Sequence, residues 1–347
     1  MNDNKSFESW YAVLYSICYS PDGKLLAAAD RCGYVRIFDL AKTMDSETYE
    51  TCLNIDFKAT VGFVYALASK DNLLRISKCC YIDVKKICLL SGSSDGTVQL
   101  YKWDDLNNGI INEIRLKKSS NSMNNADVNV LCFDSFQANR LYAAGSDSFV
   151  YCYDVETKDV VHQYKEHSED VYCLLQMNSN VIVSAGEDGN VNFYDIRTKG
   201  LNKTLQPYKS PACSRSFGKW IGCLAVDNDT VLCGGGVHLG IWYVGSCDLL
   251  KAMPMKDVTW YCALMDNDAI ITGGSHGHLS RWNHCGDHVS DLATTSHSVY
   301  DVKRNTNSDE YNVFACCGSS SAVDVFQDLG YRSFSLDVLD FGSMEIC

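Results

Sequence analysis

Proline is scarce in this chain, four residues in 347. That argues against long disordered linkers, and with 46% hydrophobic residues the chain can bury a sizeable core. No apolar run approaches the ~18 residues a membrane helix requires. The apolar stretch near Trp10–Tyr19 lacks a basic flank and a cleavage site, so no secretion signal is expected there. Basic clusters are missing too. The densest are Lys85–Lys86 and Lys117–Lys118, against a net charge of −13. Phosphate backbones repel such a chain, which argues against strong direct nucleic-acid binding and is easier to reconcile with a basic protein partner. The 18 cysteines include no C-x-x-C, and most fall inside apolar runs, among them Cys88, Cys132, Cys152, Cys173, Cys223 and Cys233. They read as small buried hydrophobes in a reducing compartment. A soluble, intracellular protein is the expectation.

What the chain does have is a repeat. Glu166 to Thr198, EHSEDVYCLLQMNSNVIVSAGEDGNVNFYDIRT, holds one full unit. A His-containing turn leads into three short apolar runs, VYCLLQM, VIVSAG and NVNFYDI, separated by the turns NSN and EDG. Runs this short, rich in Val, Tyr and Phe and bounded by Gly, Asn and Asp, read as consecutive antiparallel strands. The spacing from the His to the aromatic-Asp pair is that of the WD40 repeat, a four-stranded propeller blade. His167, Ser184, Asp188 and Tyr194 then fall on the positions of that blade's buried His–Ser–Asp–Trp hydrogen-bond chain. Asp188 is expected to accept from the His167 ring, which donates onward to Ser184. The same three residue types would suit a catalytic triad, but the blade pattern accounts for all of them and predicts that they are buried.

Copies of the unit run along the chain. VLYSICYSPDGKLLAAADRCGYVRIFDL opens it, with Pro21 and Gly23 fixing a hairpin turn. The second unit ends SGSSDGTVQLYKW, with Ser91 and Asp95 on the Ser and Asp positions, and carries an insert at 70–84. A polar tract within 104–127 precedes the third, VNVLCFDSFQANRLYAAGSDSFVYCYDV. Three more follow the central one, starting at Trp220, Val258 and Ser298. The third strands are IFDL, LYKW, CYDV, FYDI, GIWY, SRWN and VDVF, seven in all. The fold class expected is all-β, one seven-bladed WD40-type β-propeller over 1–347. Its blades run roughly 13–57, 63–116, 128–165, 167–206, 220–252, 258–292 and 298–337. GYRSFSLDV alternates Tyr331, Ser333, Ser335 against Arg332, Phe334, Leu336. Residues 331–337 are therefore expected to supply the outer strand of blade seven, so that each blade is one continuous segment and the N-terminal dozen is a loose cover.

Two features imitate chemistry. His276, His278, His284 and His288, with Cys285, are dense enough to suggest zinc. Aligned to the central blade, however, His276 and His278 fall on the turn after the second strand, and His284 and His288 follow the third strand, on the opposite rim. No metal is expected to join them, and no cofactor is expected. Gly234–Gly236 is followed by neither a Lys-Ser/Thr nor a helix, so it reads as a backbone-tight hairpin and not as a phosphate loop.

Two stretches go beyond a generic propeller. YKSPACSRSFGKWIGCLAVDNDTVLCGGG, Tyr208 to Gly236, and VDVFQDLGYRSFSL, Val323 to Leu336, closely resemble the family of THO complex subunit six. The resemblance covers nearly the whole chain and is weakest in the second-blade insert and at 104–127. It implies a non-enzymatic nuclear scaffold of the THO and TREX assemblies, which couple transcription and processing to mRNA export. The implied partners are other THO subunits, especially the coiled-coil subunits five and seven, with no membrane and no small-molecule substrate. Tyr208, Arg215, Lys219, Trp220, Tyr331 and Arg332 are the candidate partner contacts. An alternative rests on Tyr194-Asp195-Ile196-Arg197, which approximates the W-D-x-R pattern of substrate receptors of cullin-4 ubiquitin ligases. Arg197 would there pair with an acidic groove on the ligase adaptor.

Overall fold

The computed structural model describes residues 13–45, 53–58, 64–69, 88–103, 106, 110, 112–115, 126–137, 139–213, 217–267 and 269–338. The insert at 70–84, the N-terminal dozen, residues 116–125 of the polar tract and Arg215 lie outside them.

Blade one shows how the repeat folds locally. Its first strand, Leu14–Tyr19, ends at the turn Ser20-Pro21-Asp22-Gly23. Ser20 Oγ donates to Asp22 at 2.5 Å and accepts the Leu25 amide at 2.9 Å, while Gly23 takes φ +70°. The chain returns as Leu25–Asp30, then Tyr34–Asp39, then Leu53–Lys58, a four-stranded antiparallel meander. A six-residue helix, Leu40–Asp45, fills the bend between the last two, its Lys42 amide held by the Asp39 carboxylate at 3.0 Å. The described residues form seven such four-stranded sheets, each from one continuous stretch of chain. The fold is a seven-bladed β-propeller.

The first strands stand side by side around the axis: Leu14–Tyr19, Val64–Ser69, Val128–Phe133, Val171–Asn178, Ile221–Asp227, Trp260–Met265 and Val299–Arg304. Each lies against the next, and Val299–Arg304 returns to Leu14–Tyr19. Alternation along the meander then sorts the connections. Those entering each first strand share one rim with the turns between second and third strands, here the leading rim. The remaining turns lie on the trailing rim.

In all seven sheets the register slips around one residue of the first strand, at 15, 65, 129, 172, 222, 261 and 300. This is a β-bulge, which re-aims a side chain and sharpens the local twist. The bulge also brings the preceding backbone hard against the end of the second strand. A Cβ at Gly186 would lie 2.1 Å from Asp170 O, and one at Gly318 1.9 Å from Ser298 O. That is why so many second strands in this sequence end in Gly.

Closure between blades seven and one is apolar packing reinforced by side-chain bonds. Leu14, Ile17, Leu26 and Phe38 form one buried cluster with Val313, Val323, Val325, Leu336 and Val338. Each such side chain is worth about 1.5–3 kcal/mol when fully buried. Asp301 Oδ2 accepts from the Ser16 hydroxyl at 3.1 Å and the Ile17 amide at 3.0 Å. Asn305 Nδ2 donates to Gly23 O at 2.8 Å, and Asn307 Nδ2 to Ser20 O at 2.9 Å. The outer strand of blade seven is Phe334–Asp337, paired through Val323–Leu336 and Val325–Phe334. Residues 331–333 precede it as a connection, so the strand is shorter than its alternation suggests.

Candidate functional site

In blade four, His167 comes from the turn before the first strand, Ser184 from the second strand, Asp188 from the following turn and Tyr194 from the third. His167 Nδ1 lies 3.0 Å from Asp188 Oδ2, His167 Nε2 lies 2.7 Å from Ser184 Oγ, and Ser184 Oγ lies 3.4 Å from the Tyr194 hydroxyl. All four side chains are buried. With Nδ1–H donating to Asp188, Nε2 accepts from Ser184 when the ring is neutral and donates to it when the ring is charged. Burial pushes the Asp188 carboxyl up, but the His167 bond and charge and the Asn190 and Ser168 amides outweigh it, leaving a net lowering. Ser184 Oγ is enclosed within the blade, so the chain ties turn to strand and presents no nucleophile.

The other blades meet the same need differently. In blade six Trp282 Nε1 donates to Thr272 Oγ1 at 2.8 Å, and in blade one Arg36 pairs with Asp30, both buried. Blade seven buries Asp324, which accepts from the Thr295 amide at 2.7 Å and from Ser335 at 2.7 Å.

The 208–236 block is built around Trp220. Its indole Nε1 donates to Phe217 O at 2.9 Å. A Cβ on Gly222 would sit 2.5 Å from Trp220 Cζ3, and one on Gly236 2.6 Å from Trp220 Nε1. On Gly235 it would lie 2.5 Å from Trp220 O. Gly235, which ends the second strand, Thr230–Gly235, and Gly236 after it form with Gly222 the bed on which Trp220 lies, while Gly234 faces Leu239. Tyr208 packs against Gly189 of blade four and joins the core shared by blades four and five. Lys219 pairs with Glu169 at 3.4 Å.

Trp220 reaches the leading mouth of the central channel, where the bulged residues gather. Tyr15 and Tyr300 rings lie 5.7 Å apart, Tyr300 and Tyr261 5.5 Å, and Tyr261 and Trp220 6.1 Å with planes 16° from parallel. Tyr172 stands beside them, its hydroxyl donating to Glu187 at 3.1 Å. Below the mouth a cavity of about 390 Å³ is lined by the first strands. Lys303 lies there 3.6 Å from Asp301, whose carboxylate raises the lysine pKa. Sequence reasoning named Trp220 but missed this aromatic arc. Its signal was a Tyr at one column of the repeat, positions 15, 65, 172, 261 and 300.

The remaining candidates separate. Arg197 is on the trailing rim, folded back onto Asp195 with Nε at 3.1 Å and Nη2 at 2.7 Å. The pair is exposed, and the Arg197 side-chain bond lowers the Asp195 carboxyl to about 2. Tyr331, also on the trailing side, is 65% exposed, and Arg332, exposed beside it, reaches the buried Asp324 at 3.3 Å. His284 sits on the trailing rim, its ring 3.0 Å from Asn267 O. His288 opens the outer strand of blade six and is not in the connection. Its ring bonds Asp291, which also accepts from Ser280, and Ser280 contacts His276. His276 and His288 thus share one polar chain through the blade, a link the alignment had not suggested. Among the described residues, no group of three or more His, Cys, Asp or Glu side chains is placed to share a metal ion.

These features define a WD40-repeat β-propeller, and the WD40 family, described as WD domain, G-beta repeat, matches residues 4–39 and 158–195. Across its length the chain is 30% identical to THO complex subunit 6 of Homo sapiens over 344 residues, 96% of this chain and 94% of that one. It is 27% identical over 337 residues to the THO complex subunit 6 homolog of Danio rerio, covering 95% and 98%. With the Drosophila melanogaster THO complex subunit 6 it shares 24% over 234 residues, 67% and 65%. The chain belongs to the THO complex subunit 6 family.

Proposed function

We propose that this chain is a non-enzymatic subunit of the THO complex, acting as an interaction scaffold in the nucleus where transcription and RNA processing are coupled to mRNA export. One observation carries the reading: identity to THO complex subunit 6 extends over 96% of the chain, through all seven blades. Burial of the Ser184, His167 and Asp188 side chains, which imitate a triad, agrees with it. So does a net charge of −13, which disfavours direct RNA binding and leaves contact with RNA to other subunits. Partners are the other THO subunits, the elongated coiled-coil subunits five and seven foremost. Trp220 and Lys219 on the leading rim and Tyr331 on the trailing rim offer contacts on separate faces of one rigid disc. Tyr208 and Arg332 act by holding those faces in place.

The test is affinity purification of the tagged chain from nuclear extract treated with RNase, followed by mass spectrometry. Recovery of the THO subunits, coiled-coil members included, is expected. Recovery of the cullin-4 adaptor in their place would overturn the reading.

A further inference from the structure

We propose that the channel mouth between Tyr172, Trp220 and Tyr261 binds a methylated lysine side chain presented by a partner protein. The three rings, with Gly222 and the Glu187 carboxylate, line a cavity of about 430 Å³. That is within the roughly 300–1,000 Å³ of ordinary ligand pockets.

The rings are held before any ligand arrives. Trp220 Nε1 is committed to Phe217 O, the Tyr172 hydroxyl to Glu187, and the Tyr261 hydroxyl to Thr259 Oγ1 at 2.9 Å. Their polar ends are tied, which fixes the three rings in place, and the faces of such rings carry the negative side of the ring quadrupole. Gly222, which cannot carry a side chain without striking Trp220, lets the indole lie close against the backbone and so holds it in place. Such pre-organisation lowers the ordering cost of binding.

Charge selects a cation. Glu187 is exposed at the cavity, and Glu169 and Asp170 are near enough to act on the Tyr172 hydroxyl. Lys219, the opposing charge in this region, is paired with Glu169.

Donor counting then selects among cations. An arginine brings five N–H donors and a lysine ammonium three. Glu187 supplies the one carboxylate of the lining, and it already accepts from Tyr172. Methylation removes donors and keeps the charge, which suits rings better than hydrogen-bond acceptors.

The experiment uses the full chain labelled with 5-fluorotryptophan and ¹⁹F NMR, the Trp220 resonance being assigned with Trp220→Phe. Probes are short Gly/Ser peptides carrying trimethyllysine, lysine, arginine, or the neutral isostere in which carbon replaces the charged nitrogen. A saturable shift of the Trp220 resonance is expected with trimethyllysine, about tenfold tighter than with lysine or the isostere. Glu187→Gln should weaken it about fivefold. Tyr261→Ala should abolish it and Tyr261→Phe retain it, with the other tryptophan resonances unmoved as the check on folding. Equal binding of the neutral isostere, preference for arginine, full binding by Tyr261→Ala, or no shift with trimethyllysine up to about 10 mM would each overturn the proposal.

Discussion

Replacing Asp188 with alanine removes the acceptor at the centre of the blade-four chain. Four donors lose their partner: His167 Nδ1, the Ser168 and Asn190 amides, and Asn190 Nδ2, at 3.0 to 3.3 Å. Asn190 is half-exposed and can turn to water, but the His167 side chain is fully enclosed. A bond to an ionised acceptor contributes about 1.5–3 kcal/mol, and a buried donor left unpaired costs about 1–3. The combined loss expected is about 3 kcal/mol. With an unfolding entropy of about 2.1 cal/mol/K per residue, a chain of 347 residues should melt about 4 °C lower. Asp188→Asn keeps an acceptor for the imidazole and should lose about half as much.

The pH dependence has a definite sign. The folded carboxyl has a pKa below the unfolded one, so its contribution is complete above about pH 4 and fades as pH falls below that. Differential scanning calorimetry at pH 7 and pH 3.5 should therefore show a gap between wild type and Asp188→Ala that narrows in acid. An unchanged melting temperature at pH 7, within about 1 °C, would refute the structural role. If partner binding vanished at the same time, Asp188 would be a contact.

Truncation after Leu329 removes the outer strand Phe334–Asp337 and with it Leu336 and Val338 of the closing cluster. Light scattering should report aggregation through the exposed sheet edge, and a monodisperse truncated chain would contradict this account of closure. Gly235→Ala drives a methyl to 2.5 Å from Trp220 O and 2.6 Å from Gly222 N, backbone atoms that cannot swing away. A loss of about 1–3 kcal/mol and an altered Trp220 environment are expected from calorimetry and fluorescence; wild-type values in both would show that the bed is not tight. Burial pushes the thiols of Cys223, Cys233, Cys262, Cys316 and Cys317 far above the usual range, while Cys285 is exposed. Iodoacetamide mapping of the native protein should find Cys285 labelled and those five protected until unfolding.

The propeller was legible because its repeat unit is local. Strands of five to eight residues, such as Val191–Asp195 and Val171–Asn178, are bounded by turns whose Gly, Asn and Asp announce themselves. The blade-four chain was legible for the same reason: its four positions fall within one unit, 167 to 194. What the pattern hid lies between units. Trp220 is seated on Gly222 and on glycines 15 and 16 residues downstream, and a glycine run states that something is close without saying what. The mouth draws one residue from each of several blades through a bulge, which interrupts the alternation on which strand reading depends. Asp301, bridging to Ser16 and Ile17 across some 285 residues, leaves no local trace. The bond from the exposed Arg332 to the buried Asp324, on the neighbouring third strand of the blade, left no local trace either.

Membership of a THO scaffold is tested most directly by co-expressing this chain with the coiled-coil subunits five and seven of the same organism and following the mixture by size-exclusion chromatography with light scattering. The account predicts one stable, RNA-free peak containing all three chains. Elution of this propeller alone as a monomer, with the coiled-coil subunits assembled without it, would contradict the account.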